Sequence, residues 1–456
     1  MHFVLLLGLL LAATPVIAQG NYASWTAYKT ICINTTSVGA NITNLVLRYP
    51  MLVRLGAADS DVFISGKSGG ADLRFAKLNV SPLPYQIDQW DAVGRTAAVW
   101  VLLDTVKGND STFFTMYWGN AAATDSSNGG AVFDTANGFA GVYHLSNFND
   151  ATKNGFNGAS DGTTDTAGVI GRARSFNGMA GDSIMIPGLM GQPAALTLSA
   201  WEYSNYFPPG GYPPGGDVIS LGDNAGLRTD STNLQGFWYN GSGWNVNIGP
   251  TESDIINSGW VYVAFVCDPA NGSEINYVNG VSNQTNTSTN ATVAITYTAG
   301  GTATYIGHHG TGKATYNYGG LIDEPRVETV ARSADWIQLN FLTQQVGATV
   351  VKVGPTHPMS AVQPVSVARL ETNAFEVKPM RQGILFRLPA NMTRGVITLI
   401  DLTGRTLATI NVENGAQETQ WQGRLVAGPY IARLAVMSSR SGEALSILEQ
   451  RVIYAP

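Results

Sequence analysis

The stretch GWVYVAFVCDPANGSEINYVNG (259–280) decides the fold. Its segments 260–267 and 274–280 alternate apolar side chains with period two, and the Asn-Gly of YVNGVS suits a tight hairpin. Working outward, 196–203 and 216–222 alternate in the same way, and GLIDEPRVE (320–328) supplies a late strand. In SADWIQLNFLTQQ (333–345), Trp336, Leu339 and Leu342 recur at three-residue steps, which predicts a short closing helix. Toward the N-terminus, YKTICIN, NLVLRYPMLVRL, AAVWVLLDTV and STFFTMYWGN repeat the two-residue period between Asn, Gly, Pro and Asp clusters. The expected class is all-β and multidomain: two antiparallel, jelly-roll-like β-sandwiches followed by a small immunoglobulin-like β domain.

Composition agrees with that class. A chain of 456 residues is long for one domain, and 44% hydrophobic residues beside 52 glycines describe several cores joined by frequent turns. The net charge of -6 is spread along the chain without a basic stripe, so nucleic acid is not an expected partner. Phe3 to Ala13 is too short an apolar run to span a bilayer; with Thr14-Pro15 and the small-residue site Val16-Ile17-Ala18 it predicts a signal peptide over 1–18, although only His2 precedes the run. No later segment reaches membrane-spanning length. Cys32 and Cys267 fall in strand patterns of different domains; export would permit a disulfide, and two free buried thiols are the alternative.

The ordered phrases GFAGVYHL, IGRARSFNG, LTLSAWEY, TYIGHHG and GGLIDEPRVE resemble the laminin-G-like (concanavalin A-like) jelly roll, here assigned to 138–346. Before it, over 22–137, the order of NLVLRYPMLVRL, DLRF, LPYQIDQWD, AAVWVLLDTV, TMYWGN and VFD resembles the DUF2341 domain. Residues 347–380 read as a linker, and 381–456, through IDLTGR, TQWQGRLVAGPYIARL and RVIY, resemble the sorting domains of bacterial type IX secretion. The resemblances imply an exported or surface protein that holds a glycan without cutting it. They also allow a structural calcium site, with Asp150 and Asn154 of NDATKNG placed near Asp323, a metal-free hydrogen-bond network being the alternative.

Ring-bearing loops are the expected binding surface. YSNYFPPGGYPPGGD (203–217) offers Tyr203, Tyr206, Phe207 and Tyr212 among prolines, and GFWYNGSGW (236–244) offers Phe237, Trp238, Tyr239 and Trp244, with Asn240 and Asn245 to read hydroxyls. Alternation requires Trp238 or Tyr239 to face inward. Polysaccharide is the expected partner and surface proteins the alternative. No catalytic residue is assigned. The Glu-x-Asp-x-x-Glu signature of hydrolases on this sandwich does not occur, its nearest echo being ESDIIN (252–257), and the adjacent Asp323 and Glu324 should face opposite ways on a strand. His144, His308, His309 and His357 show no zinc-ligand spacing.

Overall fold

A computed structural model describes residues 22–359 and 375–454, except 79–80, 179–181, 205–214, 232, 252–254, 257, 286–291, 314, 381–382, 389–394, 402–405, 414–415, 424, 427 and 438–443. The chain divides into a compact unit ending at Ala361 and a second beginning at Val362. Both are built from antiparallel strands, as the two-residue periods require. Among the described residues no helix is long and apolar enough to cross a membrane.

The first sandwich packs a five-stranded sheet, ordered Val351–Pro358, Ala27–Asn34, Ser111–Trp118, Arg74–Lys77 and Pro82–Leu83, on a three-stranded sheet of Val46–Leu55, Thr96–Val106 and Tyr85–Asp91. Its edge strand Val351–Pro358 lies within the segment read as a linker. It returns to pair with Ala27–Asn34, where Ile31 meets Val353. Backbone pairing holds this strand although its alternation is weak, and two of the three prolines that suggested a linker, Pro358 and Pro379, lie in strands.

The second sandwich places an eight-stranded sheet against a seven-stranded one. Leu196, Leu198 and Ala200 of Leu196–Ser204 and Val263, Phe265 and Cys267 of Val261–Asp268 meet Leu227 and Trp238 of the other sheet in the core between them. The expected hairpin is present: Asn279 and Gly280 both take positive φ, 50° and 79°, as a two-residue turn demands. The closing helix spans Ala334–Gln344, with Ser333 capping its N-terminus by accepting from the Trp336 N–H. Cys32 and Cys267 are free thiols.

Outward residues of the eight-stranded sheet, Trp201, Tyr262, Ala264 and Val266, join one continuous core with the closing helix and the first sandwich. The seven-stranded sheet turns its outer face elsewhere. Separately, residues 375–454 form a three-stranded and a four-stranded sheet around Ile384, Phe386, Ile397, Leu399 and Leu434.

Candidate functional site

The outer face of the seven-stranded sheet collects aromatic and charged side chains by register. Tyr239 pairs with Trp244, Phe237 with Val246 and Gln235 with Ile248 across the strands Asn233–Tyr239 and Trp244–Thr251, so these pairs share one face. On that edge strand the usual pattern is inverted. Trp244, Val246 and Ile248 are exposed, whereas Asn245 and Asn247 turn inward, and Asn247 donates to the Glu274 carbonyl. Trp244, half exposed at 51%, lies 5.1 Å from Tyr239 and is fixed by its indole N–H donating to the Asp223 carbonyl at 2.8 Å.

Beside this pair the Arg228 guanidinium lies between two rings, 4.7 Å from Phe237 and 3.5 Å from Tyr316. His309 stacks on the same Tyr316, at 5.7 Å. Gly226 makes room for the array, since a Cβ there would stand 2.5 Å from the Phe237 ring. Arg228 is ion-paired with the buried Asp217, whose Oδ2 accepts no hydrogen bond. Burial opposes the Arg228 charge, but the Asp217 carboxylate outweighs it and holds the Arg228 pKa above its usual value.

A second polar constellation lies at the seam of the two sandwiches. Asp88 comes from Tyr85–Asp91 of the first, while His144 follows the strand Phe139–Val142 and Glu324 and Arg326 belong to Gly319–Glu328 of the second. His144 Nδ1 lies 2.6 Å from Glu324 Oε1 and 3.7 Å from Asp88 Oδ2, and Arg326 donates to Glu324 Oε2 at 2.9 Å. Trp100 and Phe133 wall the cluster, at 4.5 and 5.3 Å from the Arg326 guanidinium. Burial raises the Asp88 pKa to about 6. Burial also opposes ionisation of Glu324, but His144 and Arg326 outweigh it and hold this carboxyl below its ordinary range. A cavity of about 320 Å³ adjoins the seam, lined by Gln86, Asp88, His144, Ser146, Asn147 and Asn149 among others.

The seam corrects one expectation. Asp323 and Glu324 do not simply alternate, because the register against Leu196–Ser204 slips between Ser199 and Trp201 and Glu324 takes φ 51°. The bulge turns Glu324 to His144 while Asp323 accepts from the Ile170 N–H. Histidine spacing in the sequence gave no sign of the site, since its three members are separated by tens to hundreds of residues.

The other expected site residues scatter. Trp238 is fully buried and donates to the Val293 carbonyl, so it fills the core and cannot stack on a surface ligand. Asn245 is likewise buried and cannot read an external hydroxyl, and the Asn240 side-chain Oδ1 closes its own turn by accepting from the Ser242 and Gly243 N–H groups. Tyr206, Phe207 and Tyr212 lie outside the described residues. Asp150 accepts from Val142, Thr152 and Phe156, Asn154 donates to the Ala140 carbonyl, and Asp323 is engaged by Ile170. These bonds close the loop around Asp150, while Asp323 Oδ1 accepts no hydrogen bond among the described residues. Arg228, Phe237 and Tyr316 were missed as a group, although period-two alternation in AGLRTD and NLQGFWY puts Arg228 and Phe237 on one face.

No curated protein sequence matches the chain. Among solved structures, domain 4 of AbnA, an extracellular arabinanase from Geobacillus stearothermophilus in complex with arabinotriose, is 20% identical, with 44% of this chain and 97% of that one covered and a TM-score of 0.35. The binding domain of Paraclostridial Mosquitocidal Protein 1 is 11% identical over 65% of this chain and 75% of that one, with a TM-score of 0.38. The Ruminococcus gnavus IT-sialidase CBM40 bound to alpha2,3 sialyllactose is 14% identical over 33% and 83%, at 0.26. Such distant likenesses carry no argument about activity. Family matches are more direct, and the seam draws on both, with Asp88 and His144 in one and Glu324 in the other. The chain carries a domain of unknown function (DUF2341) at residues 69–154, followed at 176–338 by a domain of the concanavalin A-like lectin/glucanases superfamily.

Proposed function

We propose that the protein is an exported, non-catalytic glycan-binding protein that holds a cell-wall or matrix polysaccharide on the outer face of the seven-stranded sheet. The observation that carries this reading is the half-exposed Trp244 beside Tyr239, on the same face as the Phe237–Arg228–Tyr316 stack. Flat rings suit the C–H faces of sugars, and fixed polar groups beside them suit hydroxyls. Asp217 is fully buried, so it fixes Arg228 in the stack rather than contacting the ligand. Membership of the lectin/glucanase superfamily supports the class of ligand, and the resemblance of 381–456 to sorting domains supports export.

Retention of the full chain on insoluble polysaccharides tests the proposal. The unaltered protein should be retained and Trp244→Ala released, with unchanged circular dichroism. Failure of the unaltered protein to bind any polysaccharide, or release of reducing sugar from a bound one, would sink it. The apolar outward row Val246 and Ile248 on an edge strand favours a second reading, a structural adhesin that docks proteins there.

A further inference from the structure

We propose that Asp88, His144 and Glu324 bind a divalent transition-metal ion of the zinc class at the seam between the two sandwiches. One donor atom from each lies within 4.8 Å of the others. The imidazole's orientation carries the argument. Nε2 of His144 stands 3.2 Å from Gln86 Oε1, an acceptor that an N–H satisfies, which in the neutral ring leaves Nδ1 with its lone pair. That Nδ1 faces Glu324 Oε1 at 2.6 Å and Asp88 Oδ2 at 3.7 Å. Three electron-pair donors therefore converge, and something positive must sit among them.

A proton on Nδ1 is the simplest occupant, but it bonds Glu324 alone. Asp88 Oδ2, on a side chain only 4% exposed, is then left without a hydrogen bond. A metal ion engages all three groups. One imidazole with two carboxylates suits zinc and its neighbours better than calcium, which prefers oxygen throughout. With bonds of about 2.0–2.2 Å, a tetrahedral ion holds its ligands roughly 3.4 Å apart. His144 and Glu324 must therefore part by less than about 1 Å, while Asp88 Oδ2 already stands close to that spacing from His144.

The surroundings match what metal sites require. Gln86 on Nε2 and Arg326 on Glu324 Oε2 would orient two of the ligands from behind. Gly129 permits the first contact, because a Cβ there would stand 2.8 Å from Gln86 Oε1. Glu324 is held at φ 51°, a conformation that non-glycine residues adopt mainly where surrounding structure enforces it. The adjoining cavity, whose Ser146, Asn147 and Asn149 are exposed, provides an entry path and room for a water as fourth ligand. Arg326 repels the ion, which lowers its affinity.

The test is calorimetric titration of the full, chelator-stripped chain with zinc chloride at neutral pH, and in parallel the visible spectrum with Co²⁺. One ion per chain, tetrahedral Co²⁺ bands, and at least about tenfold weaker binding in Asp88→Asn and His144→Gln are expected. The double variant His308→Asn/His309→Asn should bind as the unaltered protein does. The proposal is overturned if the unaltered chain takes up no stoichiometric ion, or if a folded Asp88→Asn binds equally well. Because the titration and the cobalt spectrum are made on unaltered protein, misfolding of a variant leaves the proposal open to refutation.

Discussion

On the strand Val261–Asp268 the outward residues Tyr262, Ala264 and Val266 are buried beneath the closing helix and the first sandwich. On Trp244–Thr251, in the opposite sheet of the same sandwich, the outward residues Trp244, Val246 and Ile248 are 51, 39 and 47% exposed. Both strands carry an apolar outward row, although Val261–Asp268 is apolar on its inward row too, whereas Trp244–Thr251 has Asn245 and Asn247 there. What separates them is a partner: one face received a helix and a second domain, and the other kept its rings in solvent. An uncovered apolar face on an otherwise well-packed domain is where a ligand adds the missing contacts.

The sharpest way to break this contrast is to truncate one tryptophan on each face. Trp201, 2% exposed and donating to Gln344 Oε1 at 2.9 Å, should cost about 3–5 kcal/mol on replacement by Ala, read from denaturant unfolding. Trp244→Ala should change stability by less than about 1 kcal/mol. Equal losses would mean that the two faces are not different in kind.

Between the sheets, Glu202 gives a pH test. It is buried with, among the described residues, only Thr229 Oγ1 and Tyr318 Oη as partners, and burial pushes its pKa up to about 7. The folded state therefore keeps a proton that the unfolded chain releases near pH 4.5, so stability falls as pH rises from about 4.5 to 7 and then levels. The span is roughly 3 kcal/mol at about 1.4 kcal/mol per pKa unit. Melting temperatures across this range should decline less for Glu202→Gln than for the unaltered protein, and parallel curves would show that the carboxyl is ionised throughout.

On the open face, Tyr316→Ala removes one side of the Arg228 sandwich. It should weaken polysaccharide retention by about 1 kcal/mol, several-fold in a binding isotherm, with little change in melting. On the covered face, Gly280→Ala places a Cβ 3.1 Å from Gln338 in the closing helix at φ 79°. It should cost about 1 kcal/mol in denaturant unfolding without touching retention.

Much of the architecture was legible because it depends on short-range pattern. The hairpin at Asn279-Gly280, the closing helix on Trp336 and Leu339, and the strand near 196–203 stand where periodicity put them. The strand Val351–Pro358 was not legible, since its alternation is weak and its place depends on pairing with a strand some three hundred residues earlier. Of the ring set, alternation required an inward member but did not say which; the register of Asn233–Tyr239 sends Trp238 into the core and Tyr239 out. Asp88, His144 and Glu324 left no local mark at all, because a bulge at Glu324 and the docking of one sandwich on another bring them together.

By itself the sequence determined the all-β class, the order of the domains and most of the strands, because period-two burial is a property of neighbours along the chain. Tertiary structure decided which sheet face remained open, which tryptophan became core, and that two carboxylates and an imidazole would meet. Those outcomes depend on contacts between distant segments, which no local pattern encodes.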